Sequence, residues 1–180
     1  MGQTSPYYVM AHQAQINYCN EIMERFPEHM TGRTLDVGSL DINGSNKYMF
    51  SGEYIGLDLD QGDNVDVISL AHEYGAPDES FDCIISTECF EHDKHYEKSI
   101  KNIMRLLKPG GLFVFTCGTT GRQVHGTNTH HTWASPFTSK MWPDYYKNLT
   151  EEDFMAIDGF VWEKHEFKVV SDDLYFWGIK

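Results

Sequence analysis

Two stretches of the chain carry apolar residues at the spacing of a buried helix face. In residues 9–26 the apolar stripe consists of Ile16, Cys19, Ile22, Met23 and Phe26, and Pro27 follows directly. Residues 94–107 repeat the pattern with Ile100, Ile103, Met104 and Leu107, followed by Lys108-Pro109-Gly110-Gly111. Because proline cannot continue a helix and glycine tolerates the turn that ends one, we predict helices over 9–26 and 94–107.

Short apolar runs of strand length alternate with these helices. They lie at residues 33–39, 53–60, 64–69, 81–87 and 111–117. The run at 81–87 is apolar nearly throughout, which is typical of a strand covered on both faces. Strands that alternate with helices predict a mostly parallel sheet with right-handed crossovers.

The part of the chain after the fifth strand has a different pattern. Residues 118–149 are rich in glycine, threonine, histidine and aromatic residues, which predicts a long loop. Loops beyond about 12–15 residues in compact domains are usually functional or disordered, and the aromatic content argues against disorder. Thr150 to Asp153 resembles a capping box that opens a short helix ending near Asp158. Residues 160–170 and 172–180 then predict an antiparallel strand pair at one sheet edge.

The composition fits one globular domain that spans residues 1–180. A chain of 180 residues has the length of a single domain, and 41% hydrophobic with 14% aromatic residues argues against a disordered protein. The formal net charge is −13. It disfavours binding of nucleic acid, which depends on clustered lysine and arginine at the phosphates.

The charge is unevenly distributed. Residues 51–100 hold 13 acidic and two basic residues, whereas residues 101–149 hold one acidic and six basic residues. One interpretation is a solvated acidic face. The other is that the basic stretch, with His125, His130 and His131, faces an anionic or polar substrate.

Cysteine usage and the absence of targeting patterns indicate a cytoplasmic protein. The four cysteines form no C-x-x-C pair and have no zinc-ligand spacing, so we expect free thiols in a reducing compartment. No apolar run approaches the length of a membrane span, and the first residues lack the pattern of a signal peptide.

The loops after the predicted parallel strands carry the candidate chemistry, because ligands bind beyond the carboxyl ends of such strands. The loop after the first strand contains Gly38 and Gly44, whose spacing does not match the G-x-G-x-x-G fingerprint of nicotinamide dinucleotides. Asp58, about 20 residues after the glycine loop, ends the second strand where an acid can bind a ribose diol. Together these features indicate a nucleoside-containing cofactor.

Four ordered motifs within residues 33–118 carry a family resemblance. They are Leu35-Asp36-Val37-Gly38-Ser39, Tyr54-Ile55-Gly56-Leu57-Asp58, Phe81-Asp82-Cys83-Ile84-Ile85 with Thr87-Glu88-Cys89-Phe90-Glu91-His92, and Arg105-Leu106-Leu107-Lys108-Pro109-Gly110-Gly111. In order and spacing the chain resembles a class I S-adenosylmethionine-dependent methyltransferase. The resemblance implies an α/β, Rossmann-like, doubly wound fold: a mostly parallel seven-stranded sheet with an antiparallel C-terminal strand pair.

The resemblance also implies the cofactor and its site. S-adenosylmethionine would bind in the core at residues 33–118 and leave as S-adenosylhomocysteine. The cofactor-binding residues would be Asp36, Gly38, Ser39, Leu40, Asp41, Gly44, Asp58, Leu59, Leu70, Ala71, Thr87 and Glu88. Two departures stand out: the usual G-x-G-x-G is absent, and Leu70 stands where the family often has an acid. Backbone groups or Glu73 would then bind the adenine amino group.

Methyl transfer depends largely on positioning of the acceptor, with a general base where a proton must leave. His92 is the first candidate base, followed by His125, His130 and His131; alternatively, Glu91 and His92 merely order their loop. Some methyltransferases with an E-x-x-E-H run bind Mg²⁺, Mn²⁺ or Zn²⁺ there, which makes Glu88, Glu91 and His92 a minor metal candidate beside our main expectation of no metal.

The predicted activity is methyl transfer to an oxygen or nitrogen of a small polar acceptor, with a sugar or related metabolite among the candidates. Residues 118–149 would form the substrate lid, and residues 150–180 a helix and strand pair. The aromatic residues Trp133, Trp142, Tyr145 and Tyr146 would either cover the acceptor or pack within the loop. The alternatives are a catalytically silent S-adenosylmethionine-binding module and, less favoured, a nicotinamide-dependent oxidoreductase. No membrane or nucleic-acid partner is expected, and the oligomeric state is not indicated.

Overall fold

Seven strands form one sheet in the computed structural model, which describes the backbone of residues 6–180 and the side chains of residues 13–180. The strands are β1 (Thr34–Val37), β2 (Tyr54–Asp58), β3 (Val67–Ile68), β4 (Phe81–Thr87), β5 (Leu107–Gly118), β6 (Lys164–Val170) and β7 (Asp173–Ile179). Their order is β3-β2-β1-β4-β5-β7-β6. The first five strands are parallel, whereas β7 is antiparallel to both β5 and β6. The predicted fold class is confirmed.

The described residues also form four helices and four short 3-10 turns, which precede or connect the strands. The helices are α1 (Pro6–Arg25), α2 (Tyr96–Leu106), α3 (Pro136–Met141) and α4 (Glu151–Met155). The 3-10 turns lie at Pro27–Met30, Asn46–Met49, Ala71–Glu73 and Thr132–Ala134. Within the described part of the chain, no helix is both long and apolar enough to cross a membrane.

The apolar residues form one core cluster on each face of the sheet. Ile84 and Phe113 pack with Ile100 and Ile103 of α2, while their neighbours Ile85 and Val114 pack with α1 through Cys19, Ile22 and Met23. Successive strand residues point to opposite faces, so the apolar run of β4 fills both clusters. All four cysteines are free thiols, as expected.

Most predicted boundaries shift by a few residues, and three of the shifts have a clear physical reason. The helix predicted from residue 94 begins at Tyr96, because residues 93–95 form a turn in which the Asp93 carboxylate accepts hydrogen bonds from the His95 amide and the Ser99 hydroxyl. Strand β5 begins at Leu107 rather than Gly111, and Gly110 donates to the Lys180 carbonyl. Strand β3 has two residues where six were predicted. Asn64 has a positive φ of 67°, and the Asp66 carboxylate accepts a hydrogen bond from the Gly56 amide, so the residues before Val67 leave the strand.

The segment predicted as one long loop is partly helical. Residues 118–149 contain the 3-10 turn at Thr132–Ala134 and the helix α3. Pro136 opens α3 at the first helical position, where its missing amide costs no hydrogen bond. The capping box is present at α4, with Thr150 and Asp153 exchanging hydrogen bonds.

Candidate active site

Two neighbouring cavities lie at the carboxyl ends of β1, β2 and β4. The larger encloses about 140 Å³ and the smaller about 40 Å³. Gly38, Asp58, Cys89 and Thr138 line both. Strand order reverses between β1 and β4, so the cavities occupy the switch point at which α/β sheets bind ligands.

Asp58 lies at the end of β2, between the two cavities. One of its carboxylate oxygens accepts a hydrogen bond from the Leu40 amide at 2.9 Å and the other from the Leu59 amide at 2.7 Å. Burial raises the pKa of Asp58, and the two amides oppose that shift. Because a carboxylate oxygen has more than one lone pair, each of the two Asp58 oxygens can still accept a hydrogen bond from a ligand hydroxyl.

The loop after β1 approaches the cavities closely because it has glycine where a side chain would collide. Gly38 has a φ of +79°, and an added Cβ would lie 2.5 Å from the Cys89 sulfur. The Ser39 hydroxyl donates to the Asn64 carbonyl at 3.0 Å, which fixes the loop to the segment after β2. Gly44, at φ +123°, donates its amide to the Asp41 carboxylate at 2.6 Å.

Asp36 places a buried carboxylate against the larger cavity. One oxygen accepts a short hydrogen bond from the Tyr54 hydroxyl, and the other is buried with no hydrogen-bond partner among the described residues. Burial raises the pKa of Asp36 to about 7, although the Tyr54 hydrogen bond acts in the opposite direction. A cation in the cavity would favour the ionised form.

A cluster of charges surrounds Arg122 on the other side of the larger cavity. Its guanidinium lies 3.0 Å from Asp173, 3.7 Å from Asp172 and 3.8 Å from Glu88. Glu88, at φ +52°, also accepts a hydrogen bond from the Thr116 hydroxyl at 2.8 Å. Burial raises the pKa of Glu88, and Arg122 opposes the shift. The cluster holds three acids and one base, so Arg122 is fully engaged.

Glu91, His92, His125 and Tyr146 form a buried group beside this cluster. The His92 ring centroid lies 4.9 Å from that of His125 and 5.3 Å from that of Tyr146. Burial lowers the pKa of His92 to about 3 and also lowers the pKa of His125, so both imidazoles are neutral at pH 7. Burial raises the pKa of the Glu91 carboxyl well above its ordinary value.

Most of the cofactor-binding residues predicted from the sequence meet at the two cavities. Eleven of the twelve line one or both: Asp36, Gly38, Ser39, Leu40, Gly44, Asp58, Leu59, Leu70, Ala71, Thr87 and Glu88. Asp41 lies outside, where its exposed carboxylate caps Gly44. Glu73 is also exposed and lines neither cavity.

The four histidines predicted as bases separate into two pairs. His92 and His125 line the larger cavity, whereas His130 and His131 are exposed and line neither. The predicted metal set also separates, because Glu88 binds Thr116 and faces Arg122 while Glu91 and His92 lie with His125. Among the loop aromatics, Trp142 lines the smaller cavity, Tyr146 packs on His92 and His125, Tyr145 is half-buried and Trp133 is exposed.

Several lining residues were not predicted. Asn46, Arg122 and residues 134–138 line the larger cavity, and Asp93 lines the smaller one. The sequence signal for Arg122 was the basic excess of residues 101–149. For Asp93 it was the unbroken run of polar residues after Glu91, which continues the loop beyond β4.

Comparisons with known proteins find a family model and several solved structures that this chain resembles. A family model described as a methyltransferase domain matches residues 35–115. A search of curated proteins finds no match. The solved structure of Haemonchus contortus phosphoethanolamine N-methyltransferase 2 with S-adenosyl-L-methionine is similar at 23% identity and a TM-score of 0.59, over 84% of this chain and 38% of that one. This chain thus spans well under half the length of the Haemonchus enzyme.

Two further structures share the fold over more of their own length. Burkholderia thailandensis 1,6-didemethyltoxoflavin-N1-methyltransferase, solved with its substrate and S-adenosylhomocysteine, is 16% identical with a TM-score of 0.66, over 96% of this chain and 80% of that one. The cyclase SpnF is 20% identical with a TM-score of 0.60, over 86% and 61%. The matched methyltransferase domain thus covers a little under half of this chain, and the solved structures share its Rossmann-like fold.

Proposed function

We propose that the protein transfers the methyl group of S-adenosylmethionine to a small polar acceptor and releases S-adenosylhomocysteine. The observation that carries the proposal is the position of Asp58 between two neighbouring cavities. A ribose bound there would direct adenine toward Leu59, Leu70 and Ala71 in the smaller cavity. The methionine portion would then extend past Gly38 into the larger cavity.

The charge of the larger cavity supports a cationic cofactor. Asp36, Asp58 and Glu88 line it, and the one guanidinium present, that of Arg122, is already paired with acids. S-adenosylmethionine carries a sulfonium and an ammonium group against one carboxylate. Opposite charges at short range in a partly desolvated site favour such binding.

The reaction is an in-line displacement. A lone pair of the acceptor forms a bond to the methyl carbon as the carbon–sulfur bond breaks. The electron pair of the broken bond stays on sulfur, which becomes a neutral thioether. Holding the two reactants in line can supply much of the rate. Residues 134–138, which line the larger cavity, would shape the acceptor end of that line.

An acceptor hydroxyl or ammonium must also lose a proton. His92 and His125 line the larger cavity as neutral imidazoles, the form that can accept it. Because the pKa of His92 falls to about 3, it is the weaker base of the two, and we assign the role to His125. The exposed His130 and His131 are not placed for this step.

Two measurements test the proposal. Isothermal titration calorimetry and thermal melting should show binding of S-adenosylhomocysteine, since a ligand specific for the folded state raises the melting temperature. NADH should have no effect. A panel of amines and hydroxyl compounds, with labelled S-adenosylmethionine, should then give a methylated product. If millimolar S-adenosylhomocysteine leaves the melting curve unchanged while NADH shifts it, the proposal fails; binding without transfer to any acceptor would favour the silent module.

A further inference from the structure

Glu91, His92 and His125 bring three metal-ligating side chains together inside the protein. Glu91 and His92 follow β4, and His125 comes from the segment after β5. One donor atom of each lies within 4.8 Å of the other two. The residues are 0%, 3% and 7% exposed. The fold thus gathers the group from two distant parts of the chain.

The group lacks hydrogen bonds that a buried polar cluster ordinarily makes. The second Glu91 oxygen, Nδ1 of His92 and the Tyr146 hydroxyl are all buried without a hydrogen-bond partner among the described residues. Because buried polar atoms are nearly always paired, three such atoms in adjoining side chains indicate that a polar or charged ligand belongs there.

We propose that Glu91, His92 and His125 bind one divalent transition-metal ion of the zinc class. Two imidazoles and one carboxylate are a common protein ligand set of Zn²⁺, with bonds of about 2.0–2.2 Å. Tetrahedral ligand atoms at that distance lie about 3.3 Å apart. The donor atoms, all within 4.8 Å, therefore close by no more than about 1.5 Å to meet an ion.

Contacts around the ligands hold them in the orientation that a metal requires. Nδ1 of His125 lies 3.0 Å from the Gln123 carbonyl, so it carries the proton in this contact and leaves Nε2 with a lone pair. Metal-binding histidines characteristically donate their second nitrogen in this way. One Glu91 oxygen accepts from the Gly118 amide at 3.0 Å, which leaves the other for the ion.

Glu88 lies beside the group but is not one of its donor atoms. Its carboxylate accepts a hydrogen bond from Thr116, faces Arg122 and contacts the Glu91 carboxyl. Arg122 also faces Asp172 and Asp173, which offset its positive charge beside the ion.

Three protein ligands leave one tetrahedral position open, as in catalytic zinc sites. His92 and His125 both line the larger cavity, so this position faces the place of the acceptor. An acceptor hydroxyl bound to the ion would lose its proton more readily. In that state the two imidazoles are ligands, and the base role assigned to His125 would apply to the metal-free protein. This last step rests on the proposed function, whereas metal binding does not.

The test uses the full chain without a histidine tag, stripped with a chelator. Calorimetry with Zn²⁺ should show one ion per chain, and Co²⁺ should give the visible absorption of a tetrahedral site. Glu91→Gln and His125→Ala should each weaken Zn²⁺ binding by about a hundredfold or more. His165→Ala, on the exposed side of β6, is the matched control and should bind as the unmodified protein does.

Folding and function are separated from metal binding in the same experiment. Melting of the metal-free variants shows whether they fold, and His125→Gln replaces His125→Ala if the latter does not. S-adenosylhomocysteine titration of Glu91→Gln tests the methyltransferase site independently, because Glu91 lines neither cavity. No Zn²⁺ binding by the unmodified protein, or undiminished binding by both Glu91→Gln and the folded His125 variant, overturns the metal site alone.

Discussion

The carboxylate of Asp58 accepts a hydrogen bond from the backbone amide of Leu40 at 2.9 Å. This bond joins the end of β2 to the loop after β1, so the acid that would hold the ribose also fixes the loop beside it. A second bond, from the Leu59 amide at 2.7 Å, holds the other oxygen. Ligand binding and loop position are therefore coupled through one side chain.

Asp58→Ala should weaken S-adenosylhomocysteine binding by tenfold or more. Loss of a hydrogen bond to a charged group costs roughly 1.5–3 kcal/mol, and about 1.4 kcal/mol corresponds to tenfold in affinity. Calorimetric titration measures the change. Asp60→Ala is the control, because its exposed carboxylate lies near Lys140 and lines neither cavity. Equal affinity in the Asp58 and Asp60 variants would remove Asp58 from the site.

Gly38→Ala should destabilise the fold more than Gly110→Ala does. The two glycines have similar φ angles, +79° at Gly38 and +74° at Gly110, so both variants incur the left-handed strain of roughly 1–2 kcal/mol. Only at residue 38 does the new Cβ collide, 2.5 Å from the Cys89 sulfur, whereas nothing lies within 4 Å at residue 110. Denaturant unfolding of both variants measures the difference, which is the cost of the collision. Equal losses of stability would show that Cys89 moves aside freely.

The residues that line the cavities at the strand ends were predictable because their signals are local. Gly38 and Asp58 each follow directly on a strand whose apolar pattern is clear, and the parallel sheet brings those strand ends together. Leu70 and Ala71 follow β3 in the same way, although β3 itself is only two residues long. Among the twelve predicted residues only Asp41 lines neither cavity, since its carboxylate turns back and accepts a hydrogen bond from the Gly44 amide.

The path of residues 118–149 was not predictable because contacts distant in sequence shape it. The apolar residues of 118–149 have no regular spacing. Hydrogen bonds between its two ends fix the path of this segment, such as that from the Leu149 amide to the Gly118 carbonyl at 3.0 Å. The Asn148 side chain likewise donates to the Arg122 carbonyl at 3.0 Å. These bonds bury His125 and leave His130 and His131 outside, which no spacing of histidines in the sequence could distinguish.

His125→Ala should reduce turnover on a confirmed acceptor by roughly a hundredfold or more, the usual contribution of a positioned base. Binding of S-adenosylhomocysteine should change little, because His125 comes from the segment after β5 and is not among the residues that we expect to hold the cofactor. His131→Ala compares an exposed histidine of the same segment and should lose far less activity. Steady-state rates and cofactor titrations check both. Should His131→Ala lose more turnover than His125→Ala, the base lies on the exposed part of the segment.

The contribution of Asp36 to the stability of the ligand-free protein should fall as pH rises from about 4 to 7. Burial raises the pKa of this carboxyl from its ordinary 3.8 to about 7, so between these values the folded state binds more protons than the unfolded state. Linkage then makes folding less favourable with rising pH, by up to about 4 kcal/mol for this one group.

Asp36→Asn stays neutral and can still accept a hydrogen bond from the Tyr54 hydroxyl, so its unfolding free energy should decline less between pH 5 and pH 8. Asp144→Asn, an exposed acid, should follow the unmodified protein. Denaturant unfolding at pH 5, 6, 7 and 8 gives the slopes; parallel curves for the Asp36 variant and the unmodified protein would mean that the carboxyl ionises in the folded state as readily as in the unfolded one.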